Sequence, residues 1–264
     1  MSVAAADRRA AGFTLIEIAI VLVVIGLLLS GGLLAISPVV QQSKVTETKA
    51  KIASVESALV AYAIANGCLP CPAQTNIALG AANAGVATDD APYTAGCANA
   101  ACLGAGTATV KGVVPWVNLG LSESDASDAF GNRLTYGVSL DLTQANDAER
   151  VGSTYPTGDF TVRETTGGTT VATAGAFSGA AYVVISHGPD GALAINSAGN
   201  QKPDQHGQGA GDPQFDNAAV GNNLAWHGPQ NTVTGVDYFD DIVVYRSASS
   251  LIQACGSGSC GNPS

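Results

Sequence analysis

The stretch GFTLIEIAIVLVVIGLLLSGGLLAI, residues 12–36, decides how the rest of the chain is organised. From Phe13 onward it contains 24 residues, and as a helix they would extend about 36 Å at about 1.5 Å per residue. That length is enough to cross a hydrocarbon layer of about 30 Å. The polar side chains inside the run are Thr14, Glu17 and Ser30. We therefore expect a membrane-spanning helix over residues 13–37.

Three charged residues bear on the orientation and the role of this run. Arg8 and Arg9 precede the run, and basic residues there favour a cytoplasmic N-terminus, so the bulk of the chain is expected to be exported. Glu17 lies inside the run, where an acid without a partner costs on the order of a few kcal/mol. A cost of that size indicates that Glu17 has a function.

The order of these residues has a close counterpart among known proteins. A short basic leader that ends in glycine, followed by FTLIE and an unbroken apolar helix, resembles the N-terminus of type IV prepilins and type II secretion pseudopilins. The resemblance covers about residues 12–67. It implies that a prepilin peptidase cleaves between Gly12 and Phe13 and N-methylates Phe13. It also implies that Glu17, the fifth mature residue, docks the subunit into a filament.

Docking through Glu17 has a physical reason. The α-amino cation of one subunit and the carboxylate of the next can neutralise each other in an apolar core where neither could be buried alone. The other interpretations of the run explain less. A cleaved secretory signal peptide has a shorter apolar core with a small-residue cleavage site at its far end. A plain signal anchor leaves the order GFTLIE unexplained.

The sequence after Pro38 keeps a helical rhythm. Its apolar positions are spaced by seven, three, four and three residues and form one stripe: Val45, Ile52, Val55, Leu59 and Tyr62. Gly67 is expected to end this helix. A stripe on one side needs a packing partner, and in the pilin fold implied by the resemblance that partner is an antiparallel sheet. The expected fold class is α+β and pilin-like, with a long N-terminal helix packed on an antiparallel β-sheet head.

The expected organisation has four parts. They are a prepilin leader over residues 1–12, a transmembrane and filament-core helix over 13–37, its amphipathic continuation over 38–67, and an exported, disulfide-containing α+β head over 68–264.

Strand patterns occupy the second half of the head. FGNRLTYGV, residues 130–138, alternates and predicts a strand with one buried face. DFTVRE and TTVATA, residues 159–164 and 169–174, predict a hairpin around two glycines. AYVVISHGPDGALAIN, residues 181–196, predicts two strands joined by a turn. DYFDDIVVYRS, residues 237–247, predicts a last strand.

The remaining segments of the head are less regular. Residues 77–109 are rich in alanine and glycine and predict an irregular loop pinned by disulfides. Residues 112–121 are more apolar and are expected to lie against the helix. Residues 196–235 are polar and long, which indicates a loop with its own role or partial disorder. The phrases LPCPA, FGNRLTY and FDDIVVYRS also resemble those of minor pilin-type subunits.

The charge of the head limits its partners. The chain has 11 Lys or Arg and 21 Asp or Glu; residues 1–66 hold five and four of these, which leaves six basic and 17 acidic side chains beyond them. The resulting net charge of −11 repels nucleic acid backbones and anionic lipid. We therefore expect no nucleic acid partner for this head.

Six cysteines lie beyond the apolar run. They are Cys68, Cys71, Cys97, Cys102, Cys255 and Cys260. In an exported domain this even number indicates up to three disulfides, and nearest-neighbour pairing is the first of fifteen connectivities to consider. CLPC at residues 68–71 also suggests a redox pair or a haem site. Haem attachment requires CxxCH, and a redox motif follows a strand whereas this one follows a helix.

The sequence contains few candidates for catalysis or metal binding. His187, His206 and His227 lie on separate segments without metal-binding spacing. GxSxG elbows, Walker loops and GxGxxG turns at a strand–helix junction are missing, so no enzymatic activity is expected. Weak calcium candidates occur in the long polar loop, where oxygen ligands suit Ca²⁺: Asp204, Asp212 and Asp216. We expect no other cofactor.

These observations favour a structural or assembly subunit of a type IV pilus or type II secretion pseudopilus. Its expected partners are the prepilin peptidase and, through the N-terminal helix, other pilin or pseudopilin subunits. We expect it in the inner membrane with the head in the periplasm, and later in the pilus or pseudopilus. A head of nearly 200 residues favours a minor or tip subunit. The alternative is a single-span, membrane-anchored periplasmic enzyme or binding protein.

Overall fold

A computed structural model describes the chain over residues 13–34, 36–88, 102, 109–143, 157–165, 167–176, 178–207, 209–219, 222–230, 238–255 and 260. The chain divides into two compact units, Met1–Ser43 and Lys44–Ser264. The described helices are α1 (Leu15–Leu34), α2 (Ile36–Asn66), α3 (Pro213–Ala218) and α4 (Ala248–Ala254). The described strands are β1 (Thr109–Val113), β2 (Thr135–Ser139), β3 (Thr157–Gly158), β4 (Thr161–Glu164), β5 (Thr170–Ala172), β6 (Gly175–Ala176), β7 (Ala180–Ser186), β8 (Leu224–His227) and β9 (Ile242–Ser247).

Within the second unit, α2 buries one stripe of side chains. The buried positions are Val45, Thr48, Ile52, Val55, Leu59 and Ala63. Their spacing of three or four residues matches the helical period, so they lie on one face. The predicted stripe is confirmed except at its last position, where Ala63 is buried and Tyr62 is half-buried. The helix ends at Asn66, and Gly67 has φ +76° and donates its N–H to the Ala63 carbonyl, as expected of a C-terminal glycine.

The main sheet is antiparallel, with strand order β1-β2-β7-β9. Val110 is opposite Val138 across β1 and β2, and Tyr136 is opposite Val184 across β2 and β7. The strands predicted within 130–138, 181–186 and 237–247 are confirmed as β2, β7 and β9. An N-terminal helix packed with antiparallel sheets is an α+β architecture, so that fold class is confirmed.

Both faces of the main sheet are buried. Tyr136, Val138 and Val184 pack with the buried stripe of α2 in one apolar cluster. Val183 and Ile185 point to the opposite face and pack with Phe160 and Phe239 in a second cluster. The prediction that β2 buries one face is therefore wrong, because all five of its residues are buried. A second layer covers the face that the sequence pattern assigns to solvent.

The second layer consists of a three-stranded sheet, with order β5-β4-β8, and the short helix α3. β4 and β5 form the hairpin predicted from residues 159–164 and 169–174. β8 joins β4 in parallel, which makes this sheet mixed. Both α3 and β8 lie inside residues 196–235, where the sequence predicts a loop. That segment is therefore partly ordered as a helix and a strand.

Two other sequence predictions differ from the structure. Residues 191–196 do not form the second strand predicted after the Pro189-Asp190 turn; Gly191 and Leu193 have φ near +60°, which takes the chain out of the extended conformation. Thr109–Val113 forms β1, although only an irregular loop is predicted up to residue 109. Val113, Val114 and Trp116 are buried, and Val114 and Trp116 join the cluster that contains α2, which confirms the predicted contact of this segment with the helix.

The buried stripe of α2 should control the stability of the head. Leu59 is fully buried, and Leu59→Ala should lower the free energy of unfolding of the head by about 2–5 kcal/mol, since it removes apolar contacts and leaves a cavity. Ile64, 46% exposed on the same helix, provides the matched control. Ile64→Ala should change that free energy by about 1 kcal/mol or less. Urea unfolding of the full chain, followed by tryptophan fluorescence, measures both; equal effects would contradict the assigned helix face.

Candidate functional site

The N-terminal end of α1 is a closed hydrogen-bonded cap. Thr14 precedes the first helical residue, and its hydroxyl accepts a hydrogen bond from the Glu17 N–H at 3.3 Å. The Glu17 carboxylate accepts in return from the Thr14 N–H at 3.4 Å and from the Thr14 hydroxyl at 3.4 Å. This reciprocal arrangement is a capping box, which satisfies backbone donors that a helix N-terminus leaves open. The sequence pattern TxxE at residues 14–17 predicts it, but our sequence analysis considered only docking for Glu17.

The N-terminal half of α1 presents apolar side chains to the outside. Every side chain described from residue 13 to residue 27 is exposed, and Phe13 and Leu15 are 80% and 91% exposed. A continuous apolar surface of this kind marks a region that binds another molecule or a membrane. In the part of the chain that the structure describes, no helix combines the length and hydropathy of a membrane span.

The cysteines are used as cystines, with one change from the predicted pairing. Cys255 is bonded to Cys260, as predicted. Cys71 is bonded to Cys102, with a Cα–Cα separation of 5.5 Å, so the nearest-neighbour pairs Cys68–Cys71 and Cys97–Cys102 are wrong. Cys68 is also disulfide-bonded. Cys97 lies outside the described residues.

The physical reason lies in how the chain continues after α2. Pro70 and Pro72 flank Cys71, and the backbone of Ala73 then pairs with Val113 of β1. Cys71 is thereby held in the interior of the head, where Cys71 and Cys102 are both buried in the apolar cluster that contains the α2 stripe. The CLPC motif is therefore not a Cys68–Cys71 redox pair, because Cys71 is bonded elsewhere.

Two of the calcium candidates, Asp204 and Asp216, are engaged in hydrogen bonds within the head. Asp204 accepts from the N–H groups of His206 and Gly207. Asp212 is the residue before α3. Asp216 is buried and accepts from the indole N–H of Trp226 at 3.0 Å. Among the residues that the structure describes, no three His, Cys, Asp or Glu side chains are grouped to hold a metal ion.

The three histidines have different surroundings. His206 is half-buried, lies 2.7 Å from the Asp190 carboxylate and stacks on Tyr238. His227 is exposed at the end of β8 and packs edge-on against Tyr245. His187 is fully buried directly after β7 and lies near the side chains of Thr135 and Asp241.

Thr135, His187 and Asp241 form this buried polar relay. His187 Nε2 lies 2.9 Å from Thr135 Oγ1, and His187 Nδ1 lies 3.7 Å from Asp241 Oδ1. The second Asp241 oxygen accepts from the Asn217 amide of α3 at 2.8 Å. Sequence analysis missed the relay because its members come from β2, the end of β7 and the start of β9. Nothing in their spacing shows that the sheet brings them together.

Lys111 is the central cation of a second buried polar group. It lies on β1, and its ammonium donates to the Asp216 carbonyl, the Asn222 side chain and the Leu224 carbonyl at 2.7–2.8 Å. Burial lowers the pKa of Lys111 to about 7, while the carboxylates of Asp216 and Asp241 act in the opposite direction. Lys111 therefore joins the main sheet to α3 and β8.

Comparison with known families gives one match, and it falls on the N-terminal segment. A family described as the prokaryotic N-terminal methylation motif matches residues 7–33. The matched region includes the predicted cleavage site at Gly12 and Phe13 and the capping box of Thr14 and Glu17. The chain carries the prepilin-type signal of type IV pilins and pseudopilins.

This signal covers the N-terminal segment whose residues resemble those of prepilins. It implies processing by a prepilin peptidase and assembly with other pilin subunits. Neither the comparison with curated proteins nor the comparison with solved structures gives a match for the chain.

The depressed pKa of Lys111 predicts a pH dependence of stability. Between about pH 7 and 10.5 the unfolded chain keeps a proton on Lys111 that the folded chain tends to lose, so the contribution of Lys111 to the free energy of unfolding should rise with pH across this window. The contribution of Lys111 is lost as pH falls toward 7. Lys111→Met should lower stability, because it leaves buried acceptors unpaired, and should flatten this slope.

Thermal unfolding of the native chain and of Lys111→Met at pH 7.0, 8.0 and 9.5 measures the slope. Tyrosine ionisation in the unfolded chain begins near the top of this range, but it is common to both proteins and cancels in the comparison of their slopes. The control is Lys202→Met, since Lys202 is half-buried in the same unit. Equal slopes for the native chain and Lys111→Met would contradict the assigned role of Lys111.

Proposed function

We propose that the protein is a non-enzymatic, structural or assembly subunit of a type IV pilus or type II secretion pseudopilus. The observation that carries this proposal is the methylation motif at residues 7–33, whose helix begins immediately after the predicted cleavage site. The mature chain would begin at a methylated Phe13. Glu17 would dock against the N-terminal amine of a neighbouring subunit.

Membrane anchoring before assembly is part of the proposal. It is supported by the sequence of residues 13–36, which holds one charged side chain in 24 positions, and by the exposed apolar side chains of residues 13–27. Arg8 and Arg9 support a cytoplasmic N-terminus and a periplasmic head. Disulfides at Cys71–Cys102 and Cys255–Cys260 fit an oxidising compartment.

The proposed fold of the subunit is pilin-like. Its support is the packing of the α2 stripe on one face of an antiparallel sheet, with further elements on the other face. The second layer and its loops make the head large, and bulky heads crowd a tightly wound filament. We therefore favour a minor or tip subunit over the main repeating one. The alternative is an anchored enzyme or binding protein whose head acts alone.

Processing distinguishes the proposal from this alternative. Mass spectrometry of membrane fractions should find an N-terminus at N-methylated Phe13 in cells that contain the prepilin peptidase. The full leader should remain in cells that lack it, and Gly12→Leu should keep the leader in both, because a bulky side chain blocks the cleavage site. A native chain with an intact leader in cells with active peptidase would refute the proposal.

The capping box makes a sharp test of Glu17 docking possible. Glu17→Gln keeps the cap, since an amide oxygen also accepts from the Thr14 N–H, but it removes the charge. An unpaired buried ammonium on the neighbouring subunit costs roughly 3–5 kcal/mol, so incorporation into filaments should fall at least about a hundredfold. Membrane insertion and cleavage should remain intact, because the amide is easier to insert than the acid.

The matched variant is Thr14→Ala, which keeps the carboxylate and removes the hydroxyl that caps the helix. Loss of an N-cap costs about 1 kcal/mol, so incorporation should fall by about fivefold or less. Both variants are expressed beside the native partner subunits and quantified in sheared surface fractions and by crosslinking to neighbours, at equal levels of cleaved protein. Native-level incorporation of Glu17→Gln would show that Glu17 only caps its own helix.

A further inference from the structure

We propose that the head has a binding pocket for a small, largely apolar molecule that carries one O–H or N–H donor. The pocket lies between the start of β2, the turn at residues 193–201 and the C-terminal end of α3. The Thr135 hydroxyl, fixed by His187 and Asp241, is the acceptor that selects the donor of the ligand.

The cavity has the size of a small-ligand site. Its volume is about 310 Å³, at the lower end of the range for such sites. Leu193, Ile195, Phe215 and Ala219 supply apolar walls, and Thr135 is one of the few polar lining residues. An apolar cavity with a small number of placed polar groups is the usual composition of a ligand pocket. It lies entirely within the unit Lys44–Ser264.

The relay fixes the hydrogen-bonding role of Thr135. Asp241 Oδ1 is a carboxylate oxygen that faces His187 Nδ1 at 3.7 Å, which favours the imidazole tautomer with its proton on Nδ1. His187 Nε2 is then an acceptor, and the Thr135 hydroxyl donates to it across 2.9 Å. The hydroxyl proton is thereby engaged, and the remaining lone pairs of Thr135 Oγ1 accept. A complementary ligand must therefore supply a donor.

The burial of the relay indicates that its arrangement has a use. Thr135, His187 and Asp241 are 6%, 1% and 2% exposed. At 3.7 Å, the contact between His187 Nδ1 and Asp241 Oδ1 is longer than a hydrogen bond, and neither atom has another partner among the described residues. Leaving buried polar atoms incompletely paired costs about 1–3 kcal/mol. An apolar trio in these positions would avoid that cost.

The wall of the cavity also holds a strained residue. Leu193 has φ +60°, in the left-handed region that a branched side chain rarely adopts. Its carbonyl accepts from the Gln201 amide at 3.1 Å, so two residues that line the cavity are joined by a hydrogen bond. Backbone strain of this kind persists only where the surrounding structure imposes it, and it is concentrated at ligand sites. Leu193 and Thr135 both line the cavity. The strained backbone of Leu193 and the buried hydrogen bond of Thr135 are independent observations.

The test uses the full chain in detergent micelles and a matched pair of probes. The first probe, 2-naphthol, has an O–H donor and an apolar body suited to this volume; the second, 2-methoxynaphthalene, lacks the donor. Binding is measured by titration calorimetry and by saturation-transfer NMR. The native chain should bind 2-naphthol saturably and about tenfold more tightly than 2-methoxynaphthalene, because only 2-naphthol donates to Thr135.

Three variants complete the test. Ala219→Phe fills the cavity and, in the same micelles, gives the background from probe that partitions into detergent. Thr135→Val should reduce the affinity for 2-naphthol to that for 2-methoxynaphthalene, and Thr135→Ser should keep the tenfold difference. Equal binding to the native chain and to folded Ala219→Phe would overturn the pocket, and a tenfold difference that survives Thr135→Val would overturn the acceptor. If Ala219→Phe does not fold, the test rests on Thr135→Val and Thr135→Ser. A tenfold difference between the two probes that is lost in the first and kept in the second supports the proposal, and any other result overturns it.

Discussion

The burial of one stripe of α2 against the main sheet is the constraint on which the head depends. Leu59 and Val55 are fully buried on this stripe, and the side chains that meet them come from alternate positions of β2 and β7. Because strand side chains alternate between faces, the other positions of those strands must face away from α2. These include Thr135, Gly137 and Val183, and they need a cover of their own. The second layer with β4, β8 and α3 provides that cover.

The second layer has polar groups in its interior, and this follows from the strands it covers. Lys111 and Thr135 lie on the far side of the sheet from α2, so they are buried as soon as the second layer forms. Each buried polar group then requires partners. α3 supplies Asn217, whose side chain bonds to Trp226 and Asp241. The segment around α3 therefore serves as the hydrogen-bonding complement of the main sheet and not as a simple connector.

The regular elements with a strong hydrophobic period could be predicted from the sequence. The α2 stripe, its end at Gly67 and the strands β2, β7 and β9 follow from spacing alone. The sequence could not show that the second face of β2 is buried, because a small residue such as Gly137 at an alternate strand position is also typical of a solvent-exposed face. In the structure a Cβ at Gly137 would lie 2.8 Å from the Phe160 ring, so the glycine marks close packing. The cysteine pairing and the relay depend on chain pairing over long separations, which local patterns do not report.

The N-terminus does not depend on contacts between residues far apart in the chain. There the decisive residues are contiguous, so the pattern from Gly12 to Glu17 contains all the chemistry, and the sequence was sufficient to predict the prepilin-type signal. The pattern does not show which hydrogen bonds the Glu17 carboxylate makes within its own chain. In the single chain the carboxylate accepts from Thr14, which lowers the cost of carrying an acid in an apolar helix. The proposed docking would exchange the hydrogen bonds between Glu17 and Thr14 for a charge pair between Glu17 and the N-terminal amine of a neighbouring subunit.

The acidity of the head bears on where the driving force for assembly lies. Among the described residues beyond residue 66, two basic residues, Lys111 and Arg133, and four acidic residues, Asp128, Asp216, Asp240 and Asp241, are buried, so the surface of the head remains strongly acidic. Acidic heads brought together in a filament repel each other, although salt screens exposed charges beyond about 10 Å. In the proposed assembly, the exposed apolar side chains of residues 13–27 are the natural source of attraction between subunits. The family match at residues 7–33 falls on this same helix.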